Sequence, residues 1–292
     1  MLRIFVMVAL SLIAPLSSAS AQLTAASEGP VVYGHHHVAA SDIAAHKKFW
    51  ADTLGGTVVR IGPENARDAD RPEIIRMPNV LIFMRAQAPK GGSKGTPADH
   101  IGLSVPNLQQ TLDAVKANGF RVVTAEESPA SYNVKGEIAS PGPGVQLAFI
   151  LGPDDVKVEL IETRNQPERV KLHHIHFFGE QNTAMRDWYA KVFGAASQPG
   201  GPNAAFLTAT LPGVRLQFSP SAAPVVPTAG RAVDHIGFEV KNLQEFLAKL
   251  EAQGIKPSVT FRRVDALGIN IAFIVDPWGT NIELTEGLDK IP

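Results

Sequence analysis

The chain has 292 residues, 27 Lys and Arg against 28 Asp and Glu, a net charge of −1 and no cysteine. A balanced charge gives nucleic acid no electrostatic hold, and the lack of cysteine excludes disulfides, thiolate metal sites and a cysteine nucleophile. With 45% hydrophobic and 19% charged residues the composition is globular, and the length predicts about two domains.

The N-terminus reads as an export signal. One positive charge at Arg3 precedes the apolar run Ile4–Leu16, which ends in small residues at Ser17–Ala21. This is a secretory pattern with cleavage after Ala21, so residues 1–21 are predicted to be removed. The run is short for a membrane span; the alternative is an uncleaved anchor. The mature protein is expected to be soluble, without a membrane association, and periplasmic or secreted. Residues 22–30 are small and polar and read as an unstructured leader.

The first strand is predicted over Val31–Ala40 and contains His35, His36 and His37. Ser41 or Asp42 then caps a helix through Leu54, closed by Gly55-Gly56. Short strands follow at Thr57–Ile61, Glu73–Met77 and Val80–Arg85. A second unit opens with strand His100–Val105 and a helix capped by Asn107, with Leu108, Leu112 and Val115 on one face. Its strands are expected near Phe120–Thr124, Val134–Ala139, Val145–Leu151 and Lys157–Ile161. Residues 164–171 read as a linker.

The third unit begins at Leu172–Phe178, containing His173, His174 and His176, and continues with a helix over Thr183–Phe193. Strands follow near Ala204–Leu211 and Val214–Ser219, then a Pro-, Ala- and Ser-rich connection over 219–231. The fourth unit has strand His235–Val240, a helix capped by Asn242, and strands at Ser258–Arg263, Asn270–Val275 and Thr280–Thr285. Asp276-Pro277-Trp278-Gly279 is a turn.

Two stretches repeat each other: Asp99-His100-Ile101-Gly102-Leu103-Ser104-Val105 and Asp234-His235-Ile236-Gly237-Phe238-Glu239-Val240. The chain is therefore a duplication, and a repeat outranks other organising signals. Trp50 stands as far after His35 as Tyr189 stands after His174, which makes His35 and His174 equivalent. The even units end on Glu159-Leu160-Ile161-Glu162 and Glu283-Leu284-Thr285-Glu286. Residues three apart on a strand face opposite ways, so one glutamate of each pair faces a given side.

The four βαβββ units, the His-Ile-Gly strand–helix openings and the ending Phe273–Leu284 resemble the vicinal oxygen chelate superfamily. That superfamily includes glyoxalase I, extradiol dioxygenases, fosfomycin-resistance enzymes and bleomycin-resistance proteins. The resemblance covers about residues 31–287. It implies an α+β fold of four βαβββ modules paired into two curved mixed-sheet barrels. The expected domains are 31–163, from modules one and two, and 172–287, from modules three and four.

The resemblance also favours Glu159 and Glu283 as the cavity-facing carboxylates. It implies two metal sets: His35, His100 and Glu159, and His174, His235 and Glu283. Exchange between the halves would instead group His35 with His235 and Glu283, and His174 with His100 and Glu159. A two-His, one-carboxylate face leaves metal positions open for substrate or water and suits Fe2+, Mn2+, Zn2+, Ni2+ or Co2+. The other possibility is a set of inherited cavity polar groups that hold no metal.

His37 and His176 follow their partners by two positions, on the same strand face, and are candidate general bases; the alternative is a histidine at the cavity lip. His36 and His173 face the other way and read as structural. Arg215 and Arg262 are candidate groups for a substrate carboxylate or phosphate, although alternate strand positions are also where solvated charges stand.

Two departures bear on the reaction. Extradiol dioxygenases of the family carry a Tyr where this chain has Phe149 and Phe273, and their additional histidines do not occur in 177–234 or 236–292. Glyoxalase I commonly takes a carboxylate from the last strand of the odd modules, where the only polar candidate here is Gln217. The function expected is an exported, metal-dependent, glyoxalase-like lyase or isomerase acting on a small oxygenated molecule. The alternatives are a dioxygenase or a non-catalytic small-molecule binder. The expected state is monomer or homodimer.

Overall fold

Side-chain caps set where the helices begin. In the computed structural model, Asp42 Oδ1 accepts from the amides of Ala44 and Ala45 at 2.8 and 3.1 Å, and Asn107 and Asn242 accept from Gln110 and Glu245. Such caps satisfy amides that the first helical turn leaves unpaired. The structure describes residues 23–61, 73–198 and 206–291. The expected signal peptide 1–21 lies outside the described residues, as does the start of the strand expected from Ala204.

The first unit contains β1 (Val31–Ala40), α1 (Ile43–Lys47) continued by a π-helical turn (Lys48–Thr53), β2 (Thr57–Val59), β3 (Glu73–Met77) and β4 (Val80–Ala86). The second contains β5 (Ala98–Val105), α2 (Leu108–Ala117), β6 (Arg121–Val122), α3 (Thr124–Glu127), β7 (Asn133–Lys135), β8 (Ile138–Ser140), β9 (Leu147–Leu151) and β10 (Lys157–Glu162). The third contains β11 (Lys171–Gly179), α4 (Asn182–Phe193), β12 (Ala196–Gln198), β13 (Leu207–Leu211) and β14 (Val214–Pro220). The fourth contains β15 (Val233–Val240), α5 (Leu243–Ala252), β16 (Val259–Val264), β17 (Ile269–Val275) and β18 (Asn281–Glu286). The α+β class and the four units are as expected. The short helix α3 is an addition that the sequence pattern does not signal.

The strands form two curved mixed sheets, not closed barrels. One sheet runs β16-β17-β18-β15-β1-β4-β3-β2; the other runs β12-β13-β14-β11-β5-β10-β9-β8-β7, with β6 on β9. The first and fourth units therefore share one sheet, and the second and third share the other. The sheets therefore cross the expected division into 31–163 and 172–287, each part giving one unit to each sheet. The segment expected as a free linker explains part of the choice. Gln166 accepts from the Ser104 hydroxyl at 2.6 Å and donates to the Ser104 carbonyl at 3.1 Å. That ties the connection down, and β11 returns antiparallel beside β5. The outer units are left to meet through β1 and β15, also antiparallel.

The helices cover one face of each sheet. A continuous apolar core joins Tyr33, Ile75 and Ile82 of the first sheet to Ile101, Leu160 and Phe177 of the second, with Trp50, Leu112, Tyr189 and Leu250 from the helices. Along β5 and β15 the apolar residues Ile101, Leu103, Ile236 and Phe238 point into this core. The alternate residues His100, Gly102, His235 and Gly237 take the opposite face. The leader is not free either: Leu23 packs on an apolar cluster and Thr24 donates to Asn79 at 3.2 Å.

Because each half contributes one unit to each sheet, neither half carries a complete sheet. Residues 22–163 expressed alone are expected to show no cooperative monomeric unfolding transition, whereas co-expression with 164–292 restores one. Urea denaturation with size-exclusion chromatography checks this.

Candidate functional site

Two glycines make room for two rings. A Cβ on Gly237 would lie 1.9 Å from Cε1 of His35, and one on Gly102 would lie 2.0 Å from Cε1 of His174. No side chain tolerates such a distance, so the repeated His-Ile-Gly requires its glycine. The histidine from the neighbouring central strand lies across it.

In the first sheet His35 Nε2 and His235 Nε2 lie 2.8 and 3.0 Å from the same oxygen, Oε2 of Glu283. In the second, His100 Nε2 and His174 Nε2 lie 3.0 and 3.2 Å from Oε2 of Glu159, and His176 Nδ1 stands 4.0 Å away. Both sets are buried. The grouping is the exchanged one: His35 with His235 and Glu283, and His174 with His100 and Glu159. The donor atoms of each set lie within 4.8 Å of one another, and those of the second set include His176.

Tautomers follow from the next bonds outward. His235 Nδ1 is 2.7 Å from Asp234 Oδ1, and His100 Nδ1 is 2.7 Å from Asp99 Oδ1. A carboxylate only accepts, so each Nδ1 carries the proton. In the neutral ring, Nε2 then presents a lone pair to Glu283 or Glu159. Two acceptors about 3 Å apart repel unless a proton or a cation stands between them. Burial disfavours charge on His100 and His235, yet their bonds to Asp99 and Glu159, and to Asp234 and Glu283, raise both above the usual imidazole value. Burial likewise pushes Glu159 and Glu283 up, and the facing imidazoles more than reverse it.

The residues present fit a divalent cation. His174 Nε2 and His176 Nδ1 are buried without a hydrogen bond although both face Glu159. The 3.2 Å approach of His174 to Glu159 is off the line of a bond. Such orphaned groups are uncommon, and two imidazoles with one carboxylate are a donor set for a transition metal.

The other predicted residues are placed as follows. The His37 ring lies 4.3 Å from that of His235 and 6.0 Å from that of Phe83, outside the first donor set. His176 Nε2 contacts Ser219 Oγ at 2.8 Å. Arg215 is exposed opposite His174 on β14, and its charge helps hold His174 neutral after burial and the other charges are counted. Arg262 is exposed on edge strand β16, opposite Ile271. His36 is buried against the Tyr33 hydroxyl on the core side. Gln217 is buried opposite His176.

Sequence reasoning missed Asp99 and Asp234, although the repeat itself, Asp-His-Ile-Gly in both copies, contained the signal. It also missed Lys157, whose Nζ lies 3.1 Å from Asp99 Oδ1 and 3.0 Å from Glu127 Oε2, inside the second sheet. The equivalent place in the first sheet is Asn281.

A duplicated βαβββ fold with a buried His-His-carboxylate group on each sheet points to the glyoxalase-like class. A family model bears this out: the Glyoxalase/Bleomycin resistance protein/Dioxygenase superfamily matches residues 32–160 and again 171–284. The chain belongs to that superfamily. Among solved structures it is similar to glyoxalase I from Zea mays, at 16% identity over 91% of this chain and 95% of that one, with a TM-score of 0.66. A putative dioxygenase from Bacillus subtilis subsp. subtilis str. 168 is similar at 13% identity over 88% and 86%, with a TM-score of 0.62. These identities speak for the fold. No curated protein matches the chain.

Burial pulls His36, His37, His173 and His176 down to about 3. Unfolding exposes them to their usual value near 6.5, so below that pH the unfolded chain binds more protons. Folding stability is expected to fall as pH drops from about 6.5 towards 3, by up to about 1.4 kcal/mol per pH unit for each such group. The stabilisation from the two raised imidazoles, His100 and His235, is already complete below about 6.5 and does not offset the fall. Urea midpoints across that range measure it.

Proposed function

We propose that the chain is a metal-dependent, glyoxalase-like enzyme of the lyase or isomerase type that acts on a small molecule with adjacent oxygens. The observation that carries the reading is the pair of buried sets in which Asp-fixed imidazoles turn lone pairs towards a shared carboxylate. His35, His235 and Glu283 would hold one ion; His100, His174 and Glu159 would hold the other, with His176 alongside. A divalent ion at either set would supply Lewis acidity for charge developing on substrate oxygen.

The chain's own groups do the rest. Asp99 and Asp234 keep Nδ1 of His100 and His235 protonated, which leaves Nε2 free as a donor. His176, 4.0 Å from Glu159, is proposed as the group that accepts a proton from substrate. His37 is the corresponding group in the first sheet, with its ring beside His235. Phe83, Phe149 and Phe273 stand edge-on to His35, His100 and His235 and exclude water from those rings. Arg215 and Arg262 are the cations proposed to meet an anionic part of the substrate. Export, directed by residues 1–21, is part of the same reading. The physiological unit is proposed to be a monomer or homodimer.

A dioxygenase reading draws on the same donor set, which also suits Fe2+ with open positions. Oxygen consumption by the Fe2+-loaded protein with a vicinal diol or catechol separates the two. A metal-free chain that binds the same molecules without turnover would point to a sequestering protein instead.

Elemental analysis of protein purified without a His tag is expected to find up to two metal equivalents per chain. Glu283→Gln and Glu159→Gln each remove one. Since metal displaces the proton between Nε2 and the carboxylate, loading near neutral pH is expected to release about one proton per site, read from the buffer dependence of calorimetric heats. Asp99→Asn and Asp234→Asn are expected to weaken metal binding at their own site about 10- to 100-fold, measured by competition with a chelating dye.

A further inference from the structure

Glu239 lies on β15 at the alternation of His235 and Gly237, which puts it on the face of the first metal set. It is buried, and its Oε2 is without a hydrogen bond among the described residues. Its Oε1 accepts from two backbone amides of the chain's end, Gly287 at 2.5 Å and Leu288 at 3.1 Å. Gly287 has a φ of 106°, where a side chain would be strained. The short turn Leu288–Lys290 follows, and Arg76 Nη2 holds the Ile291 carbonyl at 2.6 Å. The segment is thus anchored at both ends.

These anchors put apolar side chains beside the site. Leu288 and Ile291 are buried in one cluster with Val59, Ile74, Leu81, Phe83, Ile269 and Ile271. Phe83 in that cluster has its ring 5.0 Å from the ring of His35. Leu288 Cδ1 lies 2.7 Å from where a Cβ on Gly34 would stand, one residue before His35. The second sheet is built differently at this place. Ser104 occupies the place of Glu239 there and engages Gln166 in the middle of the chain.

We propose that Leu288 and Ile291 form the apolar end wall of a ligand site beside His35, His235 and Glu283, and that Leu288 sets the size of the apolar group a ligand can carry there. The ligand class is a compound with two adjacent oxygens on an alkyl-substituted or aromatic body. The oxygen end of this inference rests on the metal-binding reading above; the wall itself does not.

The test uses Glu159→Gln protein loaded with Co2+, in which only the first set is complete, titrated with 4-methyl-, 4-propyl- and 4-tert-butylcatechol. Binding is read from the cobalt absorption band and by calorimetry. Leu288→Ala is expected to raise the propyl-to-methyl affinity ratio roughly three- to tenfold, Leu288→Phe to lower it, and neither to change Co2+ affinity. Leu288→Val, expected to move the ratio the same way as the alanine variant, serves if that variant fails to fold. An unchanged ratio in folded Leu288→Val and Leu288→Phe proteins overturns the wall. If the Glu159→Gln protein takes up no Co2+, the metal reading fails for this set. The wall is then read with the uncharged fluorophore N-phenyl-1-naphthylamine: weaker binding to Leu288→Phe than to wild type supports it, and equal binding overturns it.

Discussion

An imidazole held between two carboxylates is the constraint on which the rest depends. Asp234 and Asp99 each fix a proton on Nδ1 of the next residue. The far nitrogen must then face Glu283 or Glu159 with its lone pair. Inside a protein, where polar groups are poorly screened, that opposition needs something positive in the middle. A proton meets the need in the free protein, and the raised values of His235 and His100 express it. A divalent cation would meet it with further donors in reach, His35 in the first set and His174 and His176 in the second.

The fold delivers this geometry by doubling one strand–helix opening and pairing the copies across each sheet. His35 comes from β1, His235 from β15 and Glu283 from β18; no single unit contains a full set. Glycines 237 and 102 are as necessary as the ligands, because the ring of the partner strand's histidine occupies the space a side chain would take. The sheets differ in what surrounds the set. The second has the buried chain Asp99–Lys157–Glu127 behind His100 and a fourth nitrogen from His176. The first has Asn281 in place of Lys157 and, at the other side, the end of the chain itself. The two donor sets therefore stand in different surroundings despite the repeat.

Much of this was legible in the sequence, for physical reasons that differ by residue. The four units showed because the caps Asp42, Asn107 and Asn242 and the closing glycines punctuate the chain at helix ends. The histidines showed because the repeat aligns His100 with His235 and the spacing to Trp50 and Tyr189 aligns His35 with His174; the choice of Glu159 and Glu283 came from the family resemblance. The grouping of donors did not show, since either way of pairing the units satisfies the same hydrophobic alternation. The choice rests on tertiary contacts such as Gln166 with Ser104. Lys157 read as an ordinary strand charge; only packing against Asp99 and Glu127 makes it buried. Leu288 and Ile291 gave no periodic signal at all, being a few residues after the last strand.

The most direct test is anomalous diffraction at the metal edge from crystals of protein grown with Co2+ or Zn2+. The account predicts a peak within bonding distance, about 2.0–2.2 Å, of His35, His235 and Glu283, and another likewise bound by His100, His174 and Glu159. Protein that crystallises with both sets intact and shows no anomalous density at either, or density only at surface residues, would contradict it.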